Sequence, residues 1–92
     1  MLIYLLPTSM RWGPKKLRAV IKETLNVEPR RTDAYVFTNT KRNSMLVYWL
    51  VDSGEQTLQQ QLIEGSFVLP VHTSGVPWAR IEPKRLRSLI RR

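Results

Sequence analysis

Residues 35–49 read YVFTNTKRNSMLVYW, and this stretch decides how the chain folds. An aromatic and β-branched run (Tyr35, Val36, Phe37) enters a polar, basic tip (Asn39, Thr40, Lys41, Arg42, Asn43, Ser44). A second apolar run, residues 45–51, leaves it. Two runs of β-formers joined by a short polar loop predict an antiparallel hairpin with strands over 33–38 and 45–51. Alternation places Tyr35 and Phe37 on one face. Aromatic groups on an open sheet face can stack nucleic-acid bases. Here, though, Tyr35, Phe37, Tyr48 and Trp49 are among the largest apolar side chains available, and helices need a surface to pack on. A core role is the stronger expectation.

Upstream of the hairpin, residues 2–6 form a short apolar run that Pro7 ends, the pattern of a strand. Residues 14–26 carry Leu17, Val20, Ile21 and Leu25 at helical spacing, with Pro14 suited to a first turn and Pro29 forbidding continuation. Their other face holds Lys15, Lys16, Arg18, Lys22 and Glu23. Downstream, Asp52-Ser53-Gly54 marks a turn. Residues 56–63 fit either a helix stripe or a strand; a helix there has no room to begin and end, so strand, turn at Glu64-Gly65 and strand over 67–69 is the preferred reading. His72 falls in a loop spanning 72–76. Glu82-Pro83 opens a second predicted helix with Leu86, Leu89 and Ile90 as its buried stripe. The order β-α-β-β-β-β-α predicts an α+β fold: a small antiparallel sheet of four to five strands in a hairpin meander, with an N-terminal amphipathic helix and a C-terminal helix.

With 92 residues the chain is expected to form a single domain over 1–92. It holds no cysteine, which excludes disulfides, thiolate nucleophiles and cysteine metal sites. The first apolar run is short for a signal peptide, and the longest, 45–51, is far below the ~20 residues that span a bilayer. A soluble, cytoplasmic protein without membrane contact is the expectation.

Charge is distributed more tellingly than its sum of +8 suggests. Residues 1–42 hold nine Lys/Arg and three acids, residues 43–79 hold three acids and no Lys/Arg, and residues 80–92 hold six Lys/Arg and one acid. Such sorting favours a polyanionic partner met by the first part of the chain and by the tail. The contacts expected with DNA phosphates come from Arg11, Lys15, Lys16, Arg18 and Lys22, from Lys41 and Arg42 at the hairpin tip, and from Lys84, Arg85, Arg87, Arg91 and Arg92. Contacts of this kind are independent of sequence and sensitive to salt. Solvated helix faces and a frayed terminus account for the same residues without a partner.

Catalytic chemistry has few carriers. The lone His72 has no acid near it in sequence, the serines beside Gly54 and Gly75 lack a nucleophile elbow, and the glycines do not form a phosphate loop. Asp33, Asp52, Glu55 and Glu64 could hold a divalent cation only if the fold gathered them. A protein that is not an enzyme and uses no cofactor is expected.

Several of these residues also carry a family likeness. In order, they are Ile3-Tyr4, Met10-Arg11, the helix from Leu17 to Leu25, Glu28-Pro29, Tyr35-Val36-Phe37 with Asn39 and the basic tip, and Leu46-Val47-Tyr48-Trp49. Gly54, Leu62, Gly65-Ser66-Phe67-Val68-Leu69-Pro70 and the closing helix follow. Together they resemble the small TnpB-type (Orf2) accessory protein of the "insertion sequence sixty-six" family of bacterial transposable elements, over nearly the whole chain. The resemblance implies a non-catalytic protein encoded beside a separate transposase, with DNA or that transposase as partner. Three departures stand out: Leu50 where the family has an aspartate, Met45 where it has a lysine, and Gln60-Gln61-Leu62-Ile63 where it has Lys-Arg-Leu-Glu. They remove charge from the central sheet and confine the hairpin's basic character to its tip.

Overall fold

The computed structural model describes residues 1–70 and 75–91; His72 and Arg92 lie outside the described residues. Strands β1 (Leu2–Tyr4), β2 (Ala34–Thr38), β3 (Ser44–Val51), β4 (Gly54–Gln61) and β6 (Trp78–Arg80) form one sheet in the order β4-β3-β2-β1-β6. Helix α1 (Pro14–Leu25) lies between β1 and β2 in the chain. The short strand β5 (Ser66–Phe67) pairs with β7 (Ile90–Arg91) in a separate two-stranded sheet, and a 3-10 helix, Pro83–Leu89, precedes β7.

The mixed α+β class agrees with the sequence, but the sheet is not wholly antiparallel. Strand β1 runs parallel to β2, Leu2 opposite Tyr35 and Ile3 opposite Val36. A strand, a helix and a second strand in the same sheet return the chain in its original direction, and that crossover is what α1 supplies. The hairpin is antiparallel throughout, with Tyr35 opposite Tyr48 and Phe37 opposite Leu46. Residues 56–63, ambiguous in sequence, belong to a strand up to Gln61, paired along its length with β3. Strand β6 has no counterpart among the predicted elements. It adds antiparallel to β1 and closes the far side of the sheet. Residues 66–67 leave the main sheet instead of extending the meander.

The C-terminal helix also differs from expectation. It is a 3-10 helix, with no buried residue, that gives way to a strand at Ile90. Three residues per turn align Leu86 and Leu89 on one side more directly than an α-helix does. That side rests half-buried with Ile90 against Met45 and Phe67.

Period-two alternation sorts the sheet's side chains onto two faces. One face packs Tyr4, Tyr35, Phe37, Leu46 and Tyr48 with Trp78 beneath Leu17, Val20 and Ile21 of α1. Full burial of Leu17 and Ile21 contributes about 1.5–3 kcal/mol each. Trp78 meets Tyr4, Tyr35 and Phe37 with ring centroids 4.9, 5.8 and 5.4 Å away. Its indole N–H donates to Thr24 Oγ1 at 2.7 Å, tying the end of α1 to β6. The other face carries Ile3, Val36, Met45 and Val47 under the 3-10 helix and the small sheet.

The hairpin aromatics are therefore mostly interior: Tyr35, Phe37 and Tyr48 are buried, and Trp49 is half-buried. Asn39 organises the tip. Its Oδ1 accepts the backbone N–H groups of Asn43 and Ser44 at 2.9 and 3.0 Å, while its Nδ2 donates to Asn43 Oδ1 at 2.6 Å. Arg42 takes the left-handed conformation that closes the turn, at φ 57°.

Candidate nucleic-acid interface

The described cations proposed from sequence, all but Arg92, divide into three groups by what their side chains meet. Arg11, Lys15, Lys16, Lys41, Arg85 and Arg87 are exposed, and among the described residues no acid pairs with them. Lys16 lies over the Trp12 ring, 5.2 Å from its centroid. Three others are in ion pairs: Arg18 with Glu55 at 2.9 Å, Lys22 with Glu28 at 2.9 Å and Lys84 with Glu82 at 3.3 Å. The last two are held by backbone or hydroxyl groups. Arg42 donates to Thr38 Oγ1 and, at 3.1 Å, to the Leu5 carbonyl; Arg91 donates to the carbonyls of Ser88 and Ile90.

The first turn of α1 is the most concentrated of these surfaces. Gly13 caps it without a side-chain hydrogen bond, Pro14 opens it, and no acid occupies the first turn. Lys15 and Lys16 there reinforce the partial positive charge of unsatisfied N–H groups at a helix start, and Arg11 stands just ahead of it. These are unfavourable charges for the helix itself, so an external anion lowers their cost.

Backbone hydrogen bonds link the segments that carry the cations. Thr8 N–H donates to Thr38 O at 2.8 Å, holding the approach to α1 against the end of β2 that leads into the tip. On the other side of the tip, Phe67 N–H donates to Arg42 O at 2.6 Å, and Ser66 lies opposite Arg91. Arg87 and Arg91 line an open groove with Gln60, Leu62 and Ile90. The approach to α1, the hairpin tip and the tail are thus tied to one end of the sheet, although they are remote in sequence.

Two arginines outside the predicted set have partners. Arg31 pairs with Asp52 at 2.9 Å and Arg80 with Asp33 at 2.9 Å. The guanidinium hydrogen-bonded to Asp33 holds that carboxyl below its ordinary range, despite the opposing effect of burial. These pairings were not legible in sequence, since their members lie 21 and 47 positions apart.

The four acids considered for a cation do not gather. Asp33, Asp52 and Glu55 each sit with a different arginine, and among the described residues no three His, Asp or Glu side chains come together. Glu55 does meet Tyr48, whose hydroxyl donates to the carboxylate oxygen that also takes Arg18. Burial first, and then the Glu55 contact, raises the Tyr48 phenol far above its ordinary value. It is a poor candidate for a phenolate nucleophile. Trp78 lies inside the core, whereas Ile63 is fully exposed at 102%.

No helix among the described residues is long and apolar enough to cross a membrane. No curated protein and no solved structure matches the chain. The family model described as IS66 Orf2 like protein matches residues 1–91, so the likeness carried by the hairpin and its flanks extends over the whole fold described above. The chain belongs to the IS66 Orf2-like family of accessory proteins of transposable elements.

Proposed function

We propose that this protein is a non-catalytic accessory factor in transposition that contacts DNA through its phosphates. The observation that carries this reading is the sorting of its cations by partner. Six exposed cations without acid partners among the described residues fall in three segments: the start of α1, the hairpin tip and the 3-10 helix. Arg11, Lys15, Lys16, Lys41, Arg85 and Arg87 supply the contacts, while Arg42 and Arg91 hold the local backbone. Lys22 and Lys84 exchange an exposed acid partner for phosphate, at a cost set by ion pairs worth little at a solvated surface, whereas Arg18 reaches phosphate only by leaving the half-buried Glu55. Binding by such a surface positions a duplex without reading its bases.

Fluorescence anisotropy with labelled duplexes of unrelated sequence tests the proposal. The logarithm of affinity is expected to fall linearly with the logarithm of salt concentration, similarly for each duplex. Charge reversal at Lys15 and Lys16 is expected to weaken binding strongly. Absence of binding at ~50 mM salt rejects the DNA reading, because electrostatic contacts are strongest there.

A second reading, an adaptor that binds the transposase without touching DNA, is favoured by the exposed Ile63 beside Leu62. In that case Ile63→Asp abolishes co-purification with the transposase, while charge reversal on α1 leaves it intact. The DNA reading needs no protein partner for duplex binding.

A further inference from the structure

Strand β4 is one border of the five-stranded sheet, and it is eight residues long. Border strands in soluble proteins are usually short, bent, or guarded by lysine or proline, because unpaired backbone groups recruit other strands. Strand β4 has none of these guards: its sequence is GEQTLQQQ, and its only charge, Glu55, is bound to Arg18 and Tyr48. Every residue except Glu55 is exposed.

The direction of its free backbone groups follows from two hydrogen bonds. Leu62 N–H donates to Asn43 O at 2.7 Å, in the same register that places Ser44 opposite Gln61. Antiparallel ladders alternate, so Gln60, Leu58 and Gln56 direct their N–H and C=O groups toward β3. The bond from Asn39 N–H to Ser44 O on the other side of β3 fits this alternation. Glu55, Thr57, Gln59 and Gln61 therefore turn their backbone groups away from the sheet. Among the described residues, no backbone bond outside the strand ladders involves any of these four.

We propose that β4 pairs antiparallel with β4 of a second copy of this chain, forming a two-fold dimer with one continuous sheet. Those four residues are self-complementary. With the axis at Leu58, Thr57 lies opposite the partner's Gln59, and Glu55 opposite the partner's Gln61. Every outward N–H and C=O then has a counterpart, giving about eight intermolecular hydrogen bonds. The two copies of Leu58, each 57% exposed alone, meet directly across the axis. Glutamine side chains stack beside them, with Gln56 opposite the partner's Gln60.

Charge selects the same surface. The chain carries +8, so two copies repel across most faces, whereas residues 43–79 contain no Lys or Arg. The opposite border, β6, has only three residues and ends in Arg80, which offers a poor second template. Pairing through β4 consequently closes at two chains instead of propagating. An axis perpendicular to the sheet keeps both α1 helices on the same face. Their basic first turns then belong to one composite surface, although the pairing itself requires no DNA.

Analytical ultracentrifugation of the full chain up to ~200 μM tests the pairing, a range chosen because a strand-pair interface is small. The expected species has the mass of two 10.8 kDa chains. Gln59→Pro removes an outward N–H while leaving the ladder to β3 intact, and is expected to yield a monomer with unchanged circular dichroism. The chain has no cysteine, so Leu58→Cys places a single thiol at the axis, in a pair close enough for a disulfide. Oxidation is expected to give a covalent dimer, and Ser53→Cys in the β3–β4 turn is expected not to. A wild-type monomer across the range overturns the proposal. So does a larger polymer, or a dimer unaffected by Gln59→Pro together with no crosslink at position 58.

Discussion

Lys41 and Arg42 are adjacent, share a charge and differ in what they do. The Arg42 guanidinium binds Thr38 and the Leu5 carbonyl, joining the hairpin tip to the segment after β1, whereas Lys41 points into solvent without a partner among the described residues. Arg42→Ala is expected to cost about 1.5–3 kcal/mol in urea unfolding, the range for hydrogen bonds made by charged groups. Lys41→Ala is expected to leave the urea midpoint unchanged and reduce the salt slope of duplex binding by about 1. Equal stability losses in the two variants contradict this division. Tyr48 makes a separate demand on pH. Its phenol is raised by burial and by Glu55, and Tyr4 is raised in the same direction by burial. Stability from such groups is fully present below the unfolded pKa of ~10 and is lost as pH rises toward the folded values. Urea midpoints are therefore expected to be flat from neutral pH to about 9 and to fall above ~10. Tyr48→Phe is expected to reduce that alkaline fall, and an unchanged fall removes Tyr48 as a contributor.

At the scale of elements, α1 shows what periodicity can specify. Ile21 is wholly buried between the helix and the aromatic sheet face, so Ile21→Ala is expected to cost about 2–5 kcal/mol through lost transfer energy and a cavity. Thermal or urea unfolding checks this, with the exposed Glu23→Ala as a comparison of little effect. The spacing of Leu17, Val20, Ile21 and Leu25 made that burial legible in sequence, as the runs beside Lys41 made the hairpin legible. The parallel β1–β2 pair was not, because its register depends on where the α1 crossover lands and not on the residues of Leu2–Tyr4. Strand β6 is only three residues and lacks a periodic signal of its own. The closing helix carried an i, i+3 pattern that both an α-helix and a 3-10 helix satisfy. The candidate interface shows the same boundary. Its basic segments could be read from composition, but the partition between free and paired cations could not. Arg18 and Glu55 are 37 positions apart and meet only because α1 crosses toward β4.

For the whole molecule, the excess of cations makes acid the condition under which charge and structure conflict most. Seven carboxylates offset fifteen Lys and Arg at neutral pH, and among the described residues four of those carboxylates hold arginines or lysines from other segments or from the helix face. Asp33 is the most enclosed of them, bound by Arg80 and 3.5 Å from the Met1 ammonium. Because its folded pKa is depressed, its contribution is present above the unfolded value of ~3.9 and disappears as pH falls through the lower folded value. Asp33→Asn is expected to lower the melting temperature at pH 7 and to show a smaller further loss between pH 4 and 2 than the parent protein. Protonation also leaves all fifteen basic side chains without acid compensation, and their mutual repulsion favours expansion. Salt screens that repulsion over a Debye length of ~10 Å at 0.1 M, so added salt is expected to raise the melting temperature substantially near pH 3. At pH 7 the same salt both screens repulsion and weakens the ion pairs, and the net change is expected to be small. Melting curves at two salt concentrations and both pH values separate the terms. An equal salt response at pH 3 and pH 7 means that long-range repulsion does not limit this fold, and that acid acts through Asp33 and its neighbours alone.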